Sequence, residues 1–283
     1  MMIAITGATG LLGQLVIDNL LKTVSANQLV AIVRNPAKAQ ALSDKGIVVR
    51  QGDYTDETGL KSAFQGVEKV LLISGSEVGQ RTVQHRHVIN AAKAAGVKFI
   101  AYTSLLHADK SPLGLHVEHV ETEKMLAESG IAYTLLRNGW YTENYLASAP
   151  PAIEHGVFIG AAGDGKIASA TRADYAAAAA QVMSQEGHAG KVYELAGDNA
   201  WTLSELAAEL SKQSGKNVSY QNLSEADFAA ALKGVGLPAG LAEMLADSDI
   251  GASKGGLFDD SRTLSKLIQR PTTALSDSVK SIL

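Results

Sequence analysis

Through the first half of the chain, short runs dense in Ile, Val, Leu and aromatic residues alternate with longer stretches in which apolar residues recur every three or four positions. The first pattern is that of buried strands and the second that of amphipathic helices, so their alternation predicts a parallel sheet covered by helices. Strands are expected at residues 2–6, 28–33, 48–51, 69–73, 99–103 and 133–137, and helices at 11–23, 36–44, 57–64, 81–95 and 117–129. In the first of these helices Leu12, Leu15, Val16, Leu20 and Leu21 give one face to bury.

Beyond residue 137 the alternation loosens. Pro150-Pro151 and the glycine-rich residues 160–165 read as loops. Helices are expected at 172–184, 202–214, 224–234 and 240–248, strands at 192–196 and 218–221, and a short helix at 259–268 before a polar tail. The fold class is therefore α/β: a Rossmann-type doubly wound parallel sheet over residues 1–137, with a smaller C-terminal α/β region over 138–283. That second region is expected to interleave with the first and to close a substrate cleft.

A chain of 283 residues, 46% hydrophobic and 19% charged, can bury a sizeable core, which removes disordered and collagen-like classes. A net charge of −4, with basic residues scattered singly, leaves no footprint for nucleic acid. The absence of cysteine excludes disulfides, thiolate nucleophiles and Cys-ligated metals, so redox chemistry here needs a borrowed cofactor. No metal site is expected, because His85 and His87 lie two positions apart on one helix and face different sides. The opening Met1-Met2-Ile3-Ala4-Ile5-Thr6 lacks a cationic leader, and no apolar run reaches the length of a membrane span; a cytoplasmic protein is expected.

The strongest local signal is Gly7-Ala8-Thr9-Gly10-Leu11-Leu12-Gly13, between a strand and a helix. Gly7 permits a tight turn, Gly10 lets the main chain approach a pyrophosphate, and Gly13 lets the helix pack close to the sheet. The free N–H groups of the helix start then face the phosphates. At the end of the second strand, where NAD sites usually carry an acid, stand Arg34 and Asn35. Arg34, helped by Lys38, suits a 2′-phosphate, so NADPH is expected, with NADH accepted more weakly. Asp53 sits where an adenine amino group would be, although an Asx turn explains it nearly as well.

Together with Ile73-Ser74-Gly75-Ser76, Tyr102-Thr103-Ser104, residues 121–124 and Leu136-Arg137-Asn138-Gly139-Trp140-Tyr141, these motifs make the chain resemble the NmrA-like atypical short-chain dehydrogenase/reductases. Within them it is most similar to the bacterial type 2 NAD(P)H:quinone oxidoreductases, with the triphenylmethane reductases a related family. The resemblance covers nearly the whole chain. It implies that Gly7, Ala8, Thr9, Gly10, Leu11, Leu12 and Arg34 hold the adenosine phosphates and that Ser74, Gly75 and Ser76 pass beneath the cofactor. It further implies that Lys124 reaches the nicotinamide ribose and that Asn138, Gly139, Trp140, Tyr141, Thr142 and Glu143 line the nicotinamide and substrate cleft. Lys124, Asn138 and Tyr141 are the residues it points to for catalysis. Leu11 departs from the family pattern, in which Gln is usual. The implied activity is NADPH-dependent reduction of a small planar acceptor such as a quinone. Reduction of triarylmethane dyes and non-catalytic NADP sensing stay open as alternatives, as does a homodimer.

One absence bears on mechanism. Four residues before Lys124 stands Val120, so the Tyr-x-x-x-Lys pair of ordinary short-chain dehydrogenases is missing. A ketone reductase needs that phenol to protonate the developing alkoxide; a quinone does not, because hydride addition yields a delocalised hydroquinone anion that water protonates. Ser104 stands at the catalytic serine position of the wider superfamily, without its tyrosine. Tyr102, Trp140, Tyr141 and Tyr145 are candidates to stack on the acceptor, with core packing equally open. His107, His116 and His119 are second-tier substrate contacts, and Asp174 and Glu143 are expected to flank the cleft.

Overall fold

A computed structural model describes residues 1–283. The expected alternation runs β1 (Ile3–Ile5), α1 (Leu11–Leu20), β2 (Leu29–Val33), α2 (Gln40–Asp44), β3 (Val48–Gln51), α3 (Glu57–Ala63), β4 (Lys69–Leu72), α4 (Arg81–Ala95), β5 (Phe99–Leu105), α5 (His116–Ser129) and β6 (Ala132–Asn138). Then follow α6 (Thr142–Leu146), α7 (Ala149–His155), β7 (Val157–Gly160), α8 (Arg172–Ser184), β8 (Val192–Leu195), α9 (Leu203–Ser214), β9 (Ser219–Asn222), α10 (Glu225–Gly234), α11 (Ala239–Ser253), α12 (Thr263–Ile268) and α13 (Leu275–Lys280). No helix is long and apolar enough to cross a membrane.

Seven strands form one sheet in the order β3-β2-β1-β4-β5-β6-β8. The pairings among β1 to β6 are all parallel. This is the Rossmann-type architecture, and β1, flanked by β2 and β4, is where the strand order reverses. Loops leaving the carboxyl ends of β1, β2 and β4 are thereby gathered at one place.

The chain forms two compact units, one made of Met1–Leu105, Val117–Asn138 and Arg172–Tyr193, the other of Leu106–His116, Gly139–Thr171 and Glu194–Leu283. The division drawn from sequence at 137/138 falls beside one of these crossings. In the first unit β1, β2 and β4 are buried along their whole length, as expected of strands covered on both faces. On one face Leu60, Phe64, Val88, Ile89, Tyr102 and Leu126 pack around Val30, Ile32, Val70 and Leu72. Burial of each such side chain contributes about 1.5–3 kcal/mol. Lys69 is buried at the head of β4 because its ammonium donates to Met183 O and Gln185 O and pairs with Glu186 at the C-terminus of α8.

The second unit differs most from the sequence reading. Pro150 and Pro151, expected in a loop, occupy the first turn of α7, where a missing N–H costs nothing. β7 pairs with β9 in a separate parallel ribbon, and the expected polar tail contains α13. A capping box of Thr202 and Glu205 starts α9. Elsewhere, the helix expected at 36–44 begins as a 3-10 turn over Pro36–Ala39, and α1 ends at Leu20.

Candidate cofactor and acceptor sites

The first unit carries the glycine turn. Gly7 has φ +59, a left-handed conformation that costs other residues energy, and Gly10 N donates to Gly7 O at 2.9 Å. A Cβ at Gly13 would run into Gly7 O and lie 2.9 Å from Ala8 Cα, so this glycine sets how closely α1 approaches the strand. No side chain caps α1, and an uncapped helix start of this kind is suited to an anion. Gln14 braces the turn by donating to Thr9 O at 2.7 Å. Leu11 is 69% exposed beside it.

Arg34 follows β2, mostly exposed, with Nη1 3.6 Å from the Glu77 carboxylate. Lys38 is exposed nearby in the sequence. Asp53 forms the Asx turn, accepting from Thr55 N and Thr55 Oγ1, bonds that hold its carboxyl below the usual range.

The loop after β4 is clamped at several points. Ser74 N donates to Thr103 Oγ1, Gly75 N to His85 Nε2, and Gly75 O accepts from Arg81 Nε. Glu118 accepts from Gly79 N and Arg81 N. Because His85 Nε2 is an acceptor, its ring is neutral, with its proton on Nδ1 facing Thr122 Oγ1 at 2.9 Å. Burial, aided by the Arg81 charge, lowers the His85 pKa to about 3. His119 is lowered to about 3 by burial, Arg81 and His85, and its Nδ1 lies 2.7 Å from Tyr102 OH. Tyr102 and His119 are thus core residues and not acceptor contacts. His87 meets the Tyr54 carbonyl.

At the ends of β5 and β6, Ser104 donates to Glu123 at 2.5 Å, and Arg137 holds both oxygens of the same carboxylate. Asn138, at the end of β6, is buried, and its side-chain oxygen has no protein partner. Lys124 lies on the open side of α5, 75% exposed and 3.9 Å from Glu128. Asp174 is fully buried in the first turn of α8.

In the second unit, Gly139 N donates to Leu195 O, and Tyr141 bridges to Ala170. Trp140 and Tyr141 are half-buried, whereas Thr142 is buried with its hydroxyl 2.7 Å from Ser169 Oγ. Glu143 borders a cavity of about 350 Å³ with Leu146, Ala147, Asp277 and Ile282. Tyr145 belongs to the core, edge-on to Trp201 and bonded to Asp249. His107, in a left-handed conformation at φ 52, sits between Glu194 and Asp259. His116 meets the Ala108 carbonyl at 3.2 Å.

Asp249 accepts from Ala161 N at 2.8 Å, in space that a Cβ on Gly160 would crowd. Burial raises its pKa to about 6, against the pull of Ala161 N–H and Tyr145 OH. A raised acid contributes stability that is present below the unfolded value of 3.8 and is lost as pH rises through 6. Once the group is ionised in both states, above pH 6, the shift removes about 3 kcal/mol of the folding stability that the protonated protein has. Asp249→Asn is therefore expected to raise the melting temperature at pH 7.5 by a few degrees and to flatten its dependence between pH 4 and 7; an unchanged thermal profile contradicts this.

The residues that sequence reasoning missed are His85, Arg81 and Glu118 around Gly75, Glu77 beside Arg34, and the Glu123–Arg137 pair. The one available signal was Gly75 itself, placed just past a strand where a backbone must be approached closely.

The sequence profile of the NmrA-like family matches residues 1–276. The chain is 81% identical over 278 residues to quinone oxidoreductase 2 of Escherichia coli (strain K12), covering 98% of this chain and 97% of that protein. It superposes with a TM-score of 0.98 on the crystal structure of the NADPH-dependent quinone oxidoreductase QOR2 from Escherichia coli complexed with NADPH, at 80% identity and 99% of each chain. Triphenylmethane reductase of Citrobacter sp., complexed with NADP(H), is also similar, with a TM-score of 0.96 and 43% identity over 99% of this chain and 100% of that one.

Proposed function

The chain belongs to the NmrA-like family, and from that premise we propose that it is a reductase that takes a hydride from NADPH and delivers it to a quinone. The observation that carries the reading is the bare N-terminus of α1, shaped by Gly7 and Gly13, with a basic residue and no acid at the end of β2. The relative from Escherichia coli is by name a quinone oxidoreductase, and its structure holds NADPH.

In this reading the first unit holds the coenzyme. Gly7, Ala8, Thr9 and Gly10 leave room for a pyrophosphate, and the N–H groups of Leu11 and Leu12 with the dipole of α1 hold its charge. Arg34 takes the 2′-phosphate. Ser74, Gly75 and Ser76 pass beneath the cofactor, Ser74 kept in place by Thr103 and Gly75 by His85 and Arg81. The buried Asn138 oxygen needs a donor, which a ligand amide provides. Lys124 is assigned to the nicotinamide ribose, and Gly139, Trp140, Tyr141, Thr142 and Glu143 to the nicotinamide and acceptor. When bound, NADPH supplies the hydride; the protein supplies orientation.

The proton inventory selects the acceptor. Val120 replaces the phenol that ketone reduction requires, and the Ser104 hydroxyl is committed to Glu123. Neither position 120 nor Ser104 supplies the proton that an alkoxide needs, so an acceptor whose reduced form is a stable anion fits best. Purified protein is expected to oxidise NADPH rapidly with small quinones and to leave simple ketones unreduced. No turnover across a panel of quinones sinks the proposal.

Coenzyme choice gives a second test. NADPH is expected to be preferred at least tenfold over NADH, about 1.4 kcal/mol from the Arg34 contact, and Arg34→Ala to remove that preference. An unchanged ratio of kcat/KM for the two coenzymes contradicts the assignment. A cytoplasmic location belongs to the same proposal and is checked by fractionation; a homodimer, where one forms, is read from light scattering.

A further inference from the structure

Arg34 does not stand alone at the adenosine side of the glycine turn. It leaves β2, Glu77 leaves β4, and these strands lie on either side of β1, so the Arg34–Glu77 ion pair spans the carboxyl end of β1 from which the glycine turn departs. Glu77 is held from behind. The buried Gln84 donates to its second carboxylate oxygen at 2.9 Å, and Gln84 can lie there because Gly75 has no side chain: a Cβ at position 75 would be 2.9 Å from Gln84 Oε1. The carboxylate close to Arg34 from the β3 side, Asp53, is committed to its Asx turn with Thr55. The counter-ion of Arg34 is therefore an anchored acid supplied by the same loop that is assigned to pass beneath the cofactor.

We propose that Glu77 is a second determinant of coenzyme choice: it holds Arg34 until a 2′-phosphate displaces it, and so sets how strongly the chain discriminates NADPH from NADH. This rests on the coenzyme reading above. A 2′-phosphate must break the Arg34–Glu77 pair and accept a carboxylate near its own charge, whereas a 2′-hydroxyl breaks nothing and has a carboxylate to donate to. Glu77 thus works against the selectivity that Arg34 confers. The pair is exposed, which limits the effect to the range of surface ion pairs.

Equilibrium binding of NADP+, NAD+, adenosine 2′,5′-bisphosphate and AMP to the full chain, measured calorimetrically at low ionic strength, tests this without turnover. Glu77→Gln is expected to tighten the two 2′-phosphorylated ligands about two- to fivefold relative to their partners. In an Arg34→Ala background the same substitution is expected to change that ratio less than about twofold, because the pair it would release is gone. A ratio unmoved by Glu77→Gln, or moved equally with and without Arg34, overturns the proposal while leaving the coenzyme reading intact. Failure of the unsubstituted chain to bind any of the four overturns both.

Discussion

Gly13→Ala is expected to weaken dinucleotide binding about 10- to 100-fold and to lower the melting temperature by several degrees. The added methyl meets Gly7 O and Ala8 Cα, which are backbone atoms of the turn itself. A flexible side chain can rotate away from a close contact, but here relief requires α1 to move off the sheet. Such overpacking costs about 1–3 kcal/mol, and the displaced first turn carries the N–H groups assigned to the pyrophosphate. The same substitution at Gly10 serves as the comparison for stability, since its Cβ would lie 3.1 Å from Gly7 O and needs only a small adjustment of the fold, although it too would enter the space assigned to the pyrophosphate. Thermal melts should therefore rank Gly13→Ala well below Gly10→Ala, with calorimetric titration of Gly13→Ala against the unsubstituted chain reading the loss of NADP+ affinity. An unchanged melting temperature and NADP+ affinity for Gly13→Ala would show that the approach of α1 to the strand does not shape the site.

Acidification is expected to unfold the first unit's loop clamp and then the protein. His85 and His119 are neutral in the folded chain, each lowered to about 3 by burial, with Arg81 adding repulsion. A lowered histidine contributes stability that is fully present above the unfolded value of 6.5 and is lost as pH falls from there towards 3. By pH 5 each has given up about 2 kcal/mol. Together that is a large part of the 5–15 kcal/mol typical of a folded domain. Asp249 acts in the opposite sense between pH 6 and 4 and offsets part of the loss. Protonation also removes the acceptor from Gly75 N, so dinucleotide affinity should fall before the fold does. His85→Gln, whose amide oxygen can accept the same bond, is expected to shift the acid transition to lower pH and to reduce the protons taken up by about one. Tryptophan fluorescence against pH, with NADP+ titrations at intermediate pH, checks both parts. A transition of unchanged midpoint and steepness would assign the acid loss to other groups.

Much of the coenzyme assignment was legible because its signals are local. Gly7, Gly10 and Gly13 sit within one turn of chain, Arg34 follows its strand directly, and the absence of a tyrosine at position 120 is a matter of counting back from Lys124. The clamp around Gly75 was not legible, because it joins β4, α4 and α5 through partners as distant in sequence as Gly79 and Glu118. Tyr102 shows the limit of reading residue type alone. An aromatic near the end of a strand suits an acceptor or a core, and only the packing of α4 and α5 over β5 placed its ring between His85 and His119.

Periodicity, glycine spacing and the residues at strand ends determined by themselves that this chain builds a parallel α/β sheet with an anion-ready helix start, since each depends on interactions a few residues apart. Tertiary structure alone decided that residues 172–193 return to the first unit, that Pro150 and Pro151 open a helix, and that Arg34 faces Glu77. Those outcomes depend on which distant surfaces bury one another and on which charges are brought close by the strand order, and neither leaves a mark in any short stretch of sequence.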